Sequence, residues 1–484
     1  MRTGVGDNLR TDSDEPPQAQ TSSTRHRWVA VIMAAGQGTR MRSSLPKVAH
    51  PLAGKPVVRH VIDAAREAGV DDCIVIVGAD EAAAAVRAAA GEGVRFAVQA
   101  QPLGTGDAVA SAREAAGEAD HVLIMNGDVP LVLPATLCRL MDAVTRPAGP
   151  DVALLTAHVP VEAYGFLELT HDRVTAIIET KEAEAIDRSE PRHINSGQYA
   201  VRAAWLWAHL PHITPAPNGE RFLTQLAAMA HEQGNPAVAV FAEDPAEVRG
   251  INDRIQLAEA EAAVRDRIRC SHMLGGVTII DPPSTFIDAA VCIGPDTTIG
   301  PNTYLEGDTS IGSDCMIGPG SSIRDSRIGD GCTVRFSMIE QSTLESSVDV
   351  GPYSHLRPRS YLCHGVHIGN YAEVKASRLG RNTKMGHFSY IGDAEVGDDV
   401  NIGAGTITAN YDGVNKHRTT IGDGAFIGSD TMLVAPVSIG RGARTSAGSV
   451  VNRDVPDGMM AIGAPARIRA QGAADGKEDS DPGR

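Results

Sequence analysis

The sequence predicts two architectures in one chain, an α/β domain on a Rossmann-like, mostly parallel sheet followed by a parallel β-helix of hexapeptide repeats. Three observations carry this. Residues 28 to about 250 alternate apolar runs with helical patterns: WVAVIMAA, CIVIVGA, HVLIMNGD and DVALLTAHV read as strands, HVIDAAREAGV and EAAAAVRAAAGEG as helices between them. The segment EVRGINDRIQLAEAEAAVRDRIRCSHML then runs without proline and is rich in Ala, Glu, Arg and Leu, which predicts a long connecting helix. After it, aliphatic residues recur every six positions, at Ile293, Ile299, Leu305, Ile311, Ile317 and Ile323. A period of six fits neither an amphipathic helix nor simple strand alternation; it is the repeat of a parallel β-helix.

Taken in order, the 484 residues divide into an expected disordered extension over 1–26, an α/β domain over 27–250, a linker helix over 251–275, a β-helix over 276–468 and a disordered tail over 469–484. The extension MRTGVGDNLRTDSDEPPQAQTSSTRHR has no apolar core, so it does not read as a signal peptide, and nothing reads as a membrane span. In the β-helix the rhythm resumes at Ile328 and Val334, at Val350 and Leu356, at Ile368 and Val374, and at Leu379, Met385 and Ile391. It continues through Val396, Ile402 and Thr408, and then from Ile421 through Ile427, Leu433 and Ile439. Each hexad makes one side of a triangular coil, so about 18 residues complete a turn and coils stack ~4.8 Å apart. Between Thr408 and Ile421 the string ANYDGVNKHRTT is too long for a coil corner and must project as a loop.

Charge and cysteine content exclude some functions. The 44 Lys and Arg against 60 Asp and Glu leave a net charge of −16, which argues against a general nucleic-acid or anionic-membrane binder. The seven cysteines form no CxxC pair, as expected of reduced thiols in the cytoplasm.

Candidate chemistry appears in both halves. VIMAAGQGTRMRSSLPKV, Val31–Val48, runs from a strand into a glycine-rich turn with cations behind it. It lacks the Gly-Lys-Ser/Thr of a Walker loop and the third glycine of the dinucleotide fingerprint, so the turn alone does not say whose phosphate it meets. In the repeats, counting hexads sets Arg357 and Lys375 in one column, one coil apart, where an intervening phosphate would offset their repulsion. The step from Val374 to Leu379 is one residue short; corrected for it, Tyr390 lies over Glu373 and His387 over Asn370. His387, among small residues with Tyr, Glu and Asn nearby, suits a general base. A bare repeat array equally suits a rigid scaffold without chemistry.

The segments RLGRNTKMGHFSYIGDAEVGDDVNIGAGTITANYDGVNKHRT and GSDTMLVAPVSIGRGA, with MAAGQGTRM and LPK in the first half, resemble the bifunctional N-acetylglucosamine-1-phosphate uridyltransferase/glucosamine-1-phosphate N-acetyltransferase family over roughly residues 28 to 466. The resemblance implies a sugar-1-phosphate nucleotidyltransferase domain and a left-handed β-helix that trimerises, with acetyl-CoA between neighbouring subunits. It implies acetylation of glucosamine 1-phosphate, then UMP transfer from UTP with release of pyrophosphate, feeding peptidoglycan and other cell-envelope precursors. By motif, His387 is the proton acceptor, Arg357, Lys375, Tyr390 and Asn401 hold glucosamine 1-phosphate, and Glu373 supports the site. Ala404, Asn410, Tyr411, Ser429, Ala447 and Ala464 fall at the acetyl-CoA positions, with Ser429 also placed to support the oxyanion. In the first half Arg40 and Lys47 stabilise phosphate charge, and Asp128 with Asn252 holds Mg²⁺ through oxygen. The nucleotide and sugar positions are Met33, Ala34, Ala35, Gly36, Lys47, Gln99, Gly104, Thr105, Asn126, Gly127, Asp128, Gly165, Glu179, Asn195 and Asn252.

The chain departs from the family pattern in places. Some members carry an arginine for CoA where this chain has Ala464, which leaves Arg467 as a substitute. Asn126, Phe166, Gln225 and Asp253 stand where tyrosine, arginine, aspartate and asparagine are common, which puts the uridylyl-transfer rate and sugar selectivity in question. Three alternatives therefore stay open: an acetyltransferase with an impaired first half, a single-activity sugar nucleotidyltransferase with a regulatory β-helix, and a catalytically silent trimeric assembly protein.

Overall fold

A computed structural model describes residues 26–36, 38–161, 164–179, 187, 189–217 and 219–471. The expectation of disorder over residues 1–25 and 472–484 lies outside the described residues.

The strands of the first domain are β1 Trp28–Met33, β2 Pro51–Leu52, β3 Lys55–Pro56, β4 Asp72–Gly78, β5 Arg95–Gln99, β6 His121–Asn126, β7 Val152–Pro160, β8 Phe166–Thr170, β9 Arg173–Ile178, β10 Pro191–Arg202 and β11 Ala237–Phe241. All but the β2–β3 hairpin join one nine-stranded sheet in the order β5-β4-β1-β6-β10-β7-β11-β9-β8. Its helices begin with α1 Val57–Glu67, α2 Ala82–Ala90 and α3 Thr105–Ser111. Strands β5, β4, β1 and β6 run parallel. Their apolar runs are buried on both faces, as a sheet covered by helices requires; Val29 through Ile32 are fully buried. The longest strand, β10, enters antiparallel to both β6 and β7. Sequence pattern alone does not reveal this reversal, because only Gln198–Val201 of the strand form a continuous buried run and its first half is polar and partly exposed. The chain leaves β1 toward β4 and β5, then returns to the other side of β1 as β6. That switch opens a crevice at the carboxyl ends of β1 and β6, where ligands bind in α/β sheets.

The connecting helix spans Arg254–Leu274, starting three residues later than the expected linker. Asp253 sets the start: its carboxylate accepts hydrogen bonds from the Ile255 and Gln256 amides, both at 2.9 Å, so residues 251 and 252 stay outside the helix. The helix ties the halves together. Glu261 accepts from the Ala53 amide at 2.7 Å, Arg265 pairs with Asp288 at 3.2 Å, and the buried Arg269 donates to the Thr285 carbonyl at 2.9 Å.

Beyond it the chain winds as a left-handed β-helix whose three faces are sheets of 12, 10 and 9 strands. Each short strand pairs in parallel with the strand three further on, which puts the hexad aliphatics in register: Ile299 on Ile317, Ile317 on Val334, Val350 on Ile368, Met385 on Ile402. These side chains fill one continuous interior cluster from Val277 to Ala466. Corners take left-handed backbone at residues such as Asn302, Asp314, Asn382 and Asp430, types that tolerate positive φ. The final strand, Arg467–Ala470, pairs antiparallel with Met459–Ile462. Residues 469 and 470 therefore belong to the sheet, a correction to a tail beginning at 469.

The stacked core makes a direct prediction. Leu356 is fully buried between Ile339 and Val374. Leu356→Ala is expected to cost about 3 kcal/mol, read as a lowered calorimetric unfolding transition of the β-helix. An unchanged transition would contradict a solid coil interior.

Candidate active sites

The first site lies at the switch point. Met33 ends β1 and Asn126 ends β6, and the backbone of Gly127 closes the gap by donating to the Met33 carbonyl at 2.9 Å. A cavity of about 350 Å³ here is lined by Met33, Ala34, Ala35, Gly36, Lys47, Gln99, Gly104, Thr105, Asn126 and Asp128, all expected from sequence, and by Glu220 and Phe222. A second cavity of about 320 Å³ shares Met33, Thr105, Asn126, Asp128 and Phe222 and adds Arg40, Glu179, Asn195 and Asn252. One crevice thus offers two adjoining chambers.

Local chemistry explains the motif residues. Gly38 has φ +59°, and a Cβ there would meet Lys47 Cβ at 2.7 Å, so glycine lets the turn close over Lys47. Gly104 has φ +98° and backs onto the Arg221 backbone, which would stand 2.6 Å from any Cβ placed there. The buried Gln99 amide donates to the Gly104 carbonyl at 3.1 Å and to Asp107 at 3.0 Å, which fixes the loop that opens α3. Lys47 Nζ forms a close ion pair with Asp128 and donates to Asn252 Oδ1 at 3.0 Å, with Lys47 only 14% exposed. Arg40 reaches the second chamber with no carboxylate partner among the described residues. Gly165 lines neither chamber; its carbonyl accepts from the Asn195 amide at 2.7 Å and so positions that side chain.

Asp128 and Asn252 present two hard oxygen atoms to one point, a donor set that fits a divalent cation completed by phosphate and water oxygens. Among the described residues no cluster of three or more His, Cys, Asp and Glu offers a fuller protein cage.

Of the four departures, Asn126 lines both chambers, and Phe166, Gln225 and Asp253 line neither. Asn126 Nδ2 donates to the Ser196 carbonyl at 3.3 Å, joining β6 to the irregular turn of β10. Phe166 is buried under the Arg192 guanidinium, 5.1 Å from its ring centre. Gln225 clamps the Thr214 backbone through both ends of its amide, at 3.0 and 2.8 Å. Asp253 is the helix cap described above. Sequence reading missed Tyr164, Phe222 and Thr224, which line the second chamber; Thr224 Oγ1 donates to Glu179 at 3.0 Å. Phe222 and Thr224 lie in GERFLTQL beside Gln225, so the string itself held the signal.

The second site lies on the β-helix. His387 is exposed at a corner, and the register stacks Ala404, Ser429 and Ala447 above it, one per coil. These four, with Asn401, line a groove of about 650 Å³. On the next face Lys375 pairs with Gly392 in register and Glu373 with Tyr390. Gly392 leaves room for the Tyr390 ring, whose hydroxyl lies 2.2 Å from where a Cβ would stand. Arg357 and Lys375 share a column, yet carboxylates hold them: Arg357 donates to Glu373 at 2.8 Å, and Lys375 sits 3.9 Å from Asp393. Lys416, on the projecting loop, joins them. It is the main cause of a Lys375 pKa below the ordinary lysine value, with burial and Arg357 adding to it and Asp393 opposing it. Three cations against the two carboxylates Glu373 and Asp393 leave a net positive cluster, an arrangement chemically suited to a phosphate. Lys416 was missed because the loop breaks the hexad count.

Other expected contacts fall outside the groove of a single chain. Asn410 is buried and donates to Asp393 at 2.6 Å, so its amide props the cation cluster. Tyr411 is exposed on the loop with its hydroxyl bonded to the Gly413 carbonyl at 2.6 Å. Neither these residues nor Ala464 lines the groove.

Fold and sites together define a nucleotidyltransferase domain joined to a hexapeptide-repeat transferase domain. Residues 30–239 match the MobA-like NTP transferase domain family, and residues 290–325 and 418–453 match the bacterial transferase hexapeptide repeat. The chain belongs to the GlmU family of bifunctional proteins. It is 44% identical to the bifunctional protein GlmU of Pelobacter propionicus over 92% of this chain and 97% of that one. The relative from Lactococcus lactis is 44% identical over 92% and 97%, and that from Brevibacillus brevis 42% over 90% and 94%.

The cation cluster yields a pKa test. Lys416→Gln removes the largest cause of the Lys375 shift, so the Lys375 ammonium should titrate at higher pH than in the parent, followed by heteronuclear NMR. An unmoved titration would show that Lys416 does not face Lys375.

Proposed function

We propose that the β-helix acetylates glucosamine 1-phosphate with acetyl-CoA and that the α/β domain then transfers UMP from UTP to the N-acetylglucosamine 1-phosphate produced, releasing pyrophosphate. The observation that carries the reading is a pair of separate polar clusters, the Arg357–Lys375–Lys416 cations on one domain, suited to a sugar phosphate, and Lys47 with Asp128 and Asn252 on the other, suited to nucleotide phosphates with a divalent cation.

In acetyl transfer, Arg357, Lys375 and Lys416 take the sugar phosphate while Tyr390 and Asn401 orient the ring toward the groove. Only a neutral amine attacks a thioester, so His387 removes its proton as the nitrogen bonds the acetyl carbon. Ser429, one column position beyond Ala404, lies where its hydroxyl donates to the oxyanion before the thiolate leaves. The groove faces outward, and a homotrimer would close it with Tyr411 and Ala464 contributed across the subunit boundary, while Asn410 props the cation cluster of its own subunit.

In uridylyl transfer, Gln99, Gly104 and Thr105 receive the uracil, while Glu179 and Asn195 receive the acetylated sugar. The sugar phosphate oxygen attacks the α-phosphorus in line and pyrophosphate departs, with Arg40 and Lys47 meeting the charge that builds on the oxygens. Mg²⁺, held through Asp128 and Asn252, would neutralise phosphate charge when bound. Lys47 already occupies both oxygens, so its ammonium must swing toward the nucleotide phosphates as the site loads. On this reading the enzyme acts on small molecules in the cytoplasm, without a nucleic-acid or membrane partner.

His387→Ala is expected to lower thiol release from acetyl-CoA by about a hundredfold or more and to leave pyrophosphate release from UTP intact. Asp128→Asn should do the reverse. Equal loss of both activities in either variant would mean the domains are misassigned, and full Mg²⁺-dependent activity in Asp128→Asn would remove the metal assignment.

A further inference from the structure

We propose that Arg444 binds the diphosphate of the acetyl donor, a role the sequence left to Arg467. This rests on the acetyl-transfer reading above. Two cationic side chains other than histidine line the groove, Lys384 and Arg444. They share one outward column, in which Lys384 pairs with Asn401, Asn401 with Phe426, and Phe426 with Arg444. Lys384 precedes His387 by three residues and so sits on the coil of the thioester. Arg444 precedes Ala447 by three and sits three coils further along.

Distance separates their roles. Three coils at the spacing of paired strands span ~14 Å. A pantetheine arm runs about a dozen bonds from its sulfur to the first phosphorus, roughly 15 Å when extended at ordinary bond lengths. A donor with its thioester at His387 and its arm along Ala404, Ser429 and Ala447 therefore brings the diphosphate to Arg444. Lys384 lies at the wrong end.

The surroundings of Arg444 leave it available. It has no carboxylate partner among the described residues, and its guanidinium lies 5.2 Å from the Phe426 ring centre, where the ring face holds the cation without using its N–H groups. The fork can then meet phosphate oxygens in a bidentate manner. Its neighbours are placed otherwise. Arg441 is engaged by Asp457 at 3.4 Å, and Arg453 and Arg467 lie outside the groove wall.

The test compares three acetyl donors with Arg444→Gln and Arg467→Gln in the full-length enzyme, with pyrophosphate release reporting that the chain is folded. Arg444→Gln should raise KM for acetyl-CoA roughly tenfold with kcat nearly unchanged, raise it equally for acetyl-dephospho-CoA, and leave S-acetylpantetheine unaffected. Arg444→Lys should recover part of the loss. Arg467→Gln should change none of these. An equal loss with S-acetylpantetheine would mean a structural role, and no loss with acetyl-dephospho-CoA would move the contact to the 3′-phosphate. Either overturns the assignment, as would the acetyl-CoA loss appearing in Arg467→Gln instead. Wild-type enzyme that releases no thiol from acetyl-CoA with glucosamine 1-phosphate would overturn the acetyl-transfer reading itself, and this assignment with it.

Discussion

Everything chemical in the second half depends on register. Backbone hydrogen bonds between coils force residues one turn apart into columns at strand spacing, and an interior of aliphatic side chains prevents the coils from slipping. A slip of one residue would turn the buried set outward and scatter every column at once. His387, Ala404, Ser429 and Ala447 therefore form a straight groove wall because Met385, Ile402 and Ile427 stack beneath them. A long, thin acyl donor is matched to such a wall, and a rigid coil holds its two ends at fixed distance.

The first half solves a different problem with a different constraint. Its sheet reverses strand order at β1, and the reversal leaves backbone ends of β1 and β6 facing a crevice that side chains from distant segments must complete. Lys47, Asp128 and Asn252 come from a turn, a strand end and the approach to the connecting helix, and meet within hydrogen-bond distance. The cap at Asp253 links site and fold: by starting the helix after Asn252, it leaves that side chain free to face Lys47. An asparagine there would cap as well, which explains in physical terms why this departure does not disturb the site.

Much of this was legible in the sequence because repeats convert spacing into geometry. The pairing of Arg357 with Lys375, Glu373 with Tyr390 and Asn370 with His387 follows from counting hexads, including the one-residue deletion after Val374. What counting cannot reach is side-chain choice. Glu373 takes Arg357, and Asn410 turns inward to Asp393 where the motif suggested an open contact. Lys416 escaped because the projecting loop has no register, and Arg444 because a lone arginine on a coil carries no pattern. In the α/β half, the antiparallel course of β10 was hidden because its polar first half carries no apolar strand pattern, whereas Phe222 and Thr224 lay beside Gln225 in GERFLTQL and were within reach of the same reading.

The central claim is that one chain carries two independent transfer sites. The most direct measurement supplies purified wild-type protein with each substrate pair separately: acetyl-CoA with glucosamine 1-phosphate, following free thiol, and UTP with Mg²⁺ and N-acetylglucosamine 1-phosphate, following pyrophosphate. The account predicts signal in both. Thiol without pyrophosphate, or pyrophosphate without thiol, would contradict it and reduce one of the two domains to a scaffold.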